Sequence, residues 1–305
     1  MLTYDHISHI ASRPCVLALG CFDGVHMGHK EVLRTARDIA NQKGLPLTVF
    51  TFTEPPRNFF SPVPVPVITS PEEKSRLFEN EGVDTAFILP LSQDIFSISP
   101  KSFIDDVLID KLGAVHLVCG FNYTFGAGGK GNTELLIGQC AKKSVGVSIV
   151  PEYRINRQAV SSSAIRQAVI DGDIDTATTL LGRPYSLTSV VVNGQHLARR
   201  LDFPTANIIP PSSALLPKNG VYATRIYIGG DRHNGITNVG MRPTVDTNIL
   251  CAETHIFDFD GDIYGKQVTI EFIKFIRGET KFDGLDALSK QVQKDIKTAK
   301  DIFKR

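Results

Sequence analysis

The sequence predicts an α/β domain built on a parallel sheet, followed by an all-β domain that ends in a single helix. Three observations predict it. Short apolar runs alternate with helical patterns through the first half. After Gly182-Arg183-Pro184 the pattern changes to strands and tight turns. The last stretch then carries Leu285, Leu288, Val292, Ile296, Ala299 and Phe303 at helical spacing. The 305 residues suffice for about two domains, and 42% hydrophobic against 21% charged residues can fill a sizeable core.

In chain order, the apolar runs at 16–20, 47–52, 85–91, 116–120 and 148–151 read as strands. Helices are expected near 29–43, 71–81, 100–112, 132–144 and 162–181. The first of these sets Val32, Leu33, Ala36, Ile39 and Ala40 on one face. Between Ser61 and Pro66, prolines alternate with valines, which makes a stiff extended loop suited to a lid or rim. The compositional break places a domain boundary at 183/184, giving domains 1–183 and 184–305. Beyond it, 221–228 is expected to turn at Gly229-Gly230-Asp231 into 232–239, and 253–259 to turn at Asp260-Gly261 into 264–276. Period-two alternation puts Glu253, His255, Phe257 and Phe259 on one face. Such a run of hairpins implies a barrel or sandwich, with the closing helix packed on it.

Composition excludes several classes. A net charge of +1 leaves no electrostatic footprint for nucleic acid and no polybasic membrane segment. No apolar run approaches the roughly 18 residues of a membrane span. The stretch from Met1 to Pro14 holds Asp5, His6, His9 and Arg13 and does not read as a secretory signal. The five cysteines are odd in number, scattered and free of C-x-x-C pairs, which points to reduced structural thiols in a cytoplasm. The pattern leaves the oligomeric state open.

The most specific motif is Gly20-Cys21-Phe22-Asp23-Gly24-Val25-His26-Met27-Gly28-His29, at the junction of the first strand and first helix. In an open parallel sheet, ligands bind at that carboxyl end of a strand. The helix N-terminus offers N–H groups and a positive dipole end to phosphate. Glycines allow close backbone approach, and His26 and His29 add donors for a polyphosphate. Neither histidine has a Cys or carboxylate partner at metal spacing, so zinc is not expected. The H-x-G-H core also occurs in class I aminoacyl-tRNA synthetases, but the K-M-S-K-S loop that accompanies it there is absent.

After the fourth strand comes Phe121-Asn122-Tyr123-Thr124-Phe125-Gly126-Ala127-Gly128-Gly129-Lys130-Gly131. It is no P-loop, because Gly131 follows Lys130 where Ser or Thr is required. Its position favours a substrate loop with Asn122 at the strand end. Ser161-Ser162-Ser163-Ala164-Ile165-Arg166 opens the fifth helix, with Arg166 one turn in and able to reach a phosphate. Thr205 and Asn207, two apart, can put two oxygens on one side, a set suited to Mg²⁺. Glu253 starts a strand within an apolar segment, where a carboxylate is either salt-bridged or a general base.

Taken together, these residues resemble the bacterial bifunctional riboflavin kinase/FMN adenylyltransferase (FAD synthetase) family over nearly the whole chain. The matching segments also include Thr51-Phe52-Thr53-Glu54-Pro55-Pro56-Arg57, Leu181-Gly182-Arg183-Pro184-Tyr185, Asn219-Gly220-Val221-Tyr222-Ala223, residues 238–244 from Asn238 to Thr244, and Glu253-Thr254-His255. The resemblance implies an N-terminal Rossmann-like nucleotidyltransferase domain and a C-terminal flavokinase β-barrel with its closing helix. It implies that riboflavin, FMN and ATP are substrates, FAD is a product, and Mg²⁺ is required. His26 and His29 are then expected to bind the ATP phosphates and stabilise the transition state at the α-phosphorus. Gly20, Phe22, Asp23, Gly24 and Gly28 belong to the same nucleotide site. Arg166, with Asn122, Ser162 and Ser163, is expected to contact phosphates or flavin. In the kinase, Arg199 matches a nucleotide-binding position, Thr205 and Asn207 the Mg–ATP residues, and Glu253 the base that deprotonates the ribityl hydroxyl. The chain departs from the family's glycine-rich kinase loop at Ala198 and Asp202, which stand where the family has glycine. Two alternatives therefore stay open on the sequence: FMN adenylyltransferase alone with an impaired barrel, or a flavin-binding regulatory protein.

Overall fold

The computed structural model describes residues 1–7, 13–192, 205–243 and 248–304. Contacts divide the chain into two compact units, Met1–Ser162 and Ser163–Arg305.

In the first unit, β1 (Leu2–Tyr4), β2 (Cys15–Leu19), β3 (Leu47–Phe52), β4 (Thr85–Leu89), β5 (Ala114–Gly120) and β6 (Gly146–Val150) form one sheet. Its order is β1-β4-β3-β2-β5-β6, and every pair is parallel. The three-residue β1 carries no readable alternation and was not expected from the sequence. The strand order reverses at β2, so a crevice opens between the carboxyl ends of β2 and β5.

Helices α1 (Met27–Lys43), α2 (Arg57–Phe60), α3 (Pro71–Asn80), α4 (Gln93–Phe96), α5 (Pro100–Ser102) and α6 (Thr133–Ala141) connect these strands. The sheet is buried on both faces, because its side chains alternate between two cores. Val16 and Ala18 join Val32, Leu33, Ala36 and Ala40 of α1 in one core. Leu17 and Leu19 join Phe103, Ile104, Val107, Leu108 and Leu136 in the other. The helix expected over 100–112 is only α5 at its start and is π-helical over Phe103–Lys111. Its buried residues are Phe103, Ile104, Val107 and Leu108. A two-residue hairpin, β7 (Arg154–Ile155) with β8 (Gln158–Ala159), follows the sheet.

The helix expected over 162–181 is two: α7 (Ser162–Asp171) and α8 (Ile174–Leu181). Gly172 between them takes φ 78°, and the Asp173 carboxylate caps α8 by accepting the Thr176 N–H at 3.1 Å.

Strands β9 (Tyr185–Val192), β10 (Thr205–Ile208), β11 (Gly220–Ile228), β12 (Asp231–Pro243), β13 (Asn248–Ile256) and β14 (Gln267–Arg277) close into a barrel in the order β10-β13-β12-β11-β14-β9. The β11–β12 hairpin turns at Gly229 and Gly230, both at positive φ, as the sequence predicts. The second expected hairpin does not form. β13 ends at Ile256 and pairs with β12 and β10, while β14 starts at Gln267 and pairs with β11 and β9. Tyr264 therefore lies in the connection and not in a strand, and the expected shared face of Glu253 to Phe259 stops at His255.

Tyr185, Tyr222 and Phe272 pack together fully buried. Beside them a hydroxyl chain crosses three strands, Thr224 to Thr237 at 2.8 Å and Thr237 to Thr254 at 2.8 Å. It satisfies three polar groups that would otherwise be buried at a cost. The closing helix α9 (Leu285–Phe303) lays Val292, Ile296, Ala299, Ile302 and Phe303 on Val221, Ala223, Ile236 and Phe257. A partly buried ion pair ties it to β14: Arg277 donates to both carboxylate oxygens of the buried Asp295, at 2.8–3.1 Å.

Helix α8 buries Ile174, Ala177, Leu180 and Leu181 and packs on β9 and β14. A fragment 163–305 is therefore expected to melt about 5 °C or more above a fragment 184–305, given the value of a few buried apolar side chains in a small domain. Calorimetry of the two fragments checks this. Equal melting temperatures would mean that α8 adds nothing to the barrel.

Candidate active sites

The first candidate site is the loop from β2 to α1. Asp23 is buried, and its Oδ1 accepts the N–H groups of Ile68 at 2.9 Å and Thr69 at 3.3 Å. The Gly24 N–H donates to Thr69 Oγ1 at 3.1 Å, and Ser162 Oγ donates to the Asp23 carbonyl at 2.8 Å. These bonds hold a strained backbone. Phe22, Gly24 and Val25 have φ of 50°, 90° and 39°, and positive φ is unfavourable for a β-branched valine. Strain of this kind persists only where surrounding bonds over-determine it.

The strained turn presents the two histidines. His26 is the N-cap of α1, and its Nδ1 accepts the His29 N–H at 3.2 Å. A neutral imidazole accepting at Nδ1 carries its proton on Nε2. The His26 and His29 rings stack with centroids 3.5 Å apart and planes 11° apart. Phe22 backs His29 with centroids 5.1 Å apart. Two of the motif glycines serve this packing. A Cβ at Gly20 would meet the Phe22 ring at 3.0 Å, and one at Gly28 the His26 ring at 3.3 Å and Tyr153 at 3.5 Å.

Across the crevice, Asn122 is exposed two residues beyond β5. The two motifs, about a hundred residues apart in sequence, thus meet where the strand order reverses. The two remaining expected groups are counted by contact in the second unit and lie on α7, Ser163 exposed and Arg166 buried.

Two features of this edge were not expected from the sequence. Rings from the ends of β3 and from α2 and α4 form a cluster: Phe96 lies 5.4 Å from Phe52, 4.9 Å from Phe59 and 5.2 Å from Phe60, centroid to centroid. Phe60 remains 63% exposed. The sequence signal was the Phe59-Phe60 pair just before the proline-rich loop. The other feature is Lys74 of α3, fully buried beside the histidine loop. Burial pulls its pKa below the ordinary lysine value, opposed by the nearby Cys21 and Asp23. Burial pushes the Cys119 thiol up to about 12 and the Cys140 thiol up to about 11, so neither is activated as a nucleophile.

The second candidate site lies on the barrel wall. Asn207 of β10 pairs directly with Glu253 of β13, which pairs in turn with Asn238 of β12. Directly opposed residues share a face, so the three polar side chains form one row. Thr205, two residues before Asn207, shares that face. Asn238 opens a segment that carries the family resemblance but was given no role from the sequence, because only the register brings it beside Glu253. Asn207 is buried, donates through Nδ2 to the Thr205 carbonyl at 3.3 Å, and leaves Oδ1 without a hydrogen-bond partner among the described residues. A cleft of about 650 Å³ adjoins this row. It is lined by Thr205 and Ala206 together with Ile256, Asp260, Asp262 and Tyr264. Arg199, Ala198 and Asp202 lie outside the described residues.

Comparison with known proteins matches both halves. Residues 8–164 match the family model for FAD synthetase, and residues 181–303 match that for riboflavin kinase. The bifunctional riboflavin kinase/FMN adenylyltransferase of Bacillus subtilis is 37% identical over 299 residues, covering 96% of this chain and 94% of the relative. The protein of the same description from Listeria monocytogenes is 36% identical, covering 94% and 92%. A crystal structure described as a macrolide-efflux protein from Streptococcus pneumoniae is 33% identical, with a TM-score of 0.89 and 98% of each chain covered. Among the described residues of the present chain, no helix is long and apolar enough to cross a membrane.

Proposed function

Because the chain belongs to the bifunctional riboflavin kinase/FMN adenylyltransferase family, we propose that the stacked histidine pair and the Asn207–Glu253 row are its two catalytic centres. The chain phosphorylates riboflavin to FMN and adenylylates FMN to FAD, with ATP as co-substrate of both steps.

In adenylyl transfer the FMN phosphate attacks the α-phosphorus of ATP in line, and pyrophosphate leaves. No covalent enzyme intermediate is needed, so catalysis reduces to positioning and charge stabilisation. The observation that carries this reading is the His26–His29 pair, held by a strained turn at the N-terminus of α1. Both rings are preorganised before substrate arrives, and the helix end adds its own N–H groups. Asp23 acts by shaping the turn, since its carboxylate is committed to the 68–69 amides. Asn122, Ser162, Ser163 and Arg166 keep the phosphate- or flavin-contacting roles that the family pattern gives them. The cluster of Phe52, Phe59, Phe60 and Phe96 suits the flat isoalloxazine ring, because an exposed aromatic face stacks on a planar heterocycle.

In the kinase, Glu253 removes the proton of the ribityl hydroxyl as that oxygen attacks the γ-phosphorus of ATP, and ADP leaves as the bond to the bridging oxygen breaks. Thr205 and Asn207 fit a hard divalent cation, because the buried Asn207 Oδ1 awaits a partner and amide oxygens suit Mg²⁺. Bound with ATP, Mg²⁺ neutralises charge on the phosphates. Arg199 is assigned to the same nucleotide from its place in the sequence. A boundary at 183/184, where the strand pattern begins within the second compact unit, and a cytoplasmic location, to which buried unbridged thiols at Cys15, Cys119 and Cys140 are suited, complete the proposal.

The test is chromatography of flavins after incubation with Mg–ATP, starting from riboflavin and separately from FMN. FMN and FAD are expected from riboflavin, and FAD from FMN. FAD from FMN but no product from riboflavin would favour the adenylyltransferase-only alternative.

The glycine departures allow a finer test. By its position in the family's phosphate loop, Asp202 would cost about 1 kcal/mol if it stood ~4 Å from an ATP phosphate in high dielectric, and a side chain at a glycine of positive φ would cost a similar order. Ala198→Gly with Asp202→Gly is therefore expected to lower the kinase KM for ATP several-fold or raise its kcat. FMN adenylylation should stay constant. Steady-state kinetics with varied Mg–ATP decides, and a double mutant identical to its parent would make both substitutions neutral.

A further inference from the structure

Lysine is almost never fully buried without strong compensation, yet Lys74 is 0% exposed. Its place is fixed locally. Ser70 caps α3 by accepting the Glu73 N–H at 3.1 Å, and Pro71 stands at the first helical position. Lys74 follows one turn in and points toward the sheet. Its ammonium donates to two main-chain carbonyls, Phe52 at 2.7 Å and Cys21 at 3.3 Å. Phe52 is the last residue of β3, and Cys21 opens the strained turn after β2. The Cys21 carbonyl also accepts Thr51 Oγ1 at 2.7 Å. The turn is thus tied on one side by Lys74 and Thr51, and on the other by the Asp23 bonds to residues 68–69.

We infer that Lys74 is a positioning residue for adenylyl transfer: its buried ammonium clamps the ends of β2 and β3 and holds the turn that presents His26 and His29. This rests on the reading of the first unit as the adenylyltransferase. The bonds Lys74 makes lie at the start of the turn, and the positive φ values at Phe22, Gly24 and Val25 follow directly. Releasing the Cys21 carbonyl lets the turn relax and shifts the rings that must meet the transition state. A misplacement of about 1 Å far from the reacting atoms costs on the order of 100-fold in rate.

The test uses the full-length chain. Lys74→Met is expected to lower kcat for FMN adenylylation at least 30-fold while KM for ATP and for FMN changes less than threefold. Riboflavin phosphorylation in the same preparation reports the second unit and should hold. Adenylylation within threefold of the parent overturns the inference alone. An absence of FAD from the parent chain overturns the reading beneath it, and this inference with it. Lys74→Ala assayed with and without propylammonium separates positioning from bulk stability, including where Lys74→Met does not fold. Recovery of kcat with no change in Tm supports positioning. A rate that rises only together with Tm, or no recovery at all, overturns it in favour of a purely structural lysine.

Discussion

His29→Ala lowers FAD formation from FMN by ~100-fold or more, the scale of losing one preorganised donor to a developing charge. The His29 ring sits in the first turn of α1, stacked at 3.5 Å on His26 and backed by Phe22. A donor fixed in this way stabilises the transition state without reorganising as charge develops. The change also removes two ring contacts, each worth roughly 0.5–1.5 kcal/mol, so a modest loss of stability accompanies it. His29 is a cleaner probe than His26. Alanine at 26 also deletes the N-cap of α1, which costs about 1 kcal/mol by itself. Riboflavin phosphorylation, carried by the other unit, should persist and serves as the internal control. Unchanged FAD synthesis would remove the histidine pair from the chemistry.

Glu253→Gln abolishes most riboflavin phosphorylation, with a loss of about 100- to 10,000-fold expected for a general base. Glutamine keeps the size and the strand pairing with Asn207 and Asn238, so the barrel wall is preserved while the proton acceptor is gone. Adenylylation of supplied FMN should continue. The informative measurement is the ratio of the two activities in one preparation. If both fall together, Glu253 supports folding and the base lies elsewhere.

Local patterns were read well where they were dictated locally. The strand-to-helix junction at the histidine motif, the apolar face Val32–Leu33–Ala36–Ala40 and the glycine turn of β11–β12 all follow from neighbouring residues. The failures have a common cause. The expected hairpin of 253–259 with 264–276 assumed that strands adjacent in sequence pair, whereas barrel closure places β12 and β10 beside β13, and β11 and β9 beside β14. Gly172 ended α7 by adopting a left-handed φ, which a helical hydrophobic pattern running through it conceals. Lys74 was not singled out from the sequence, where nothing in its neighbours sets it apart from the other charges of its helix. Only the packing of α3 on the sheet buries it and brings it to two carbonyls.

By itself the sequence determined the two architectures, the strand-to-helix motif with its two histidines, the Thr205/Asn207 pair and the family they resemble. These depend on periodicity and on residues within one or two turns of each other, where backbone geometry leaves few choices. Tertiary structure alone decided that His26 stacks on His29, that Asn238 stands beside Glu253, that the phenylalanines of β3, α2 and α4 converge, and that Lys74 ties the strained turn. Each joins groups whose proximity is set by strand register or helix packing. Those are fixed by the best simultaneous burial of the whole core, a global condition that no local stretch of sequence encodes.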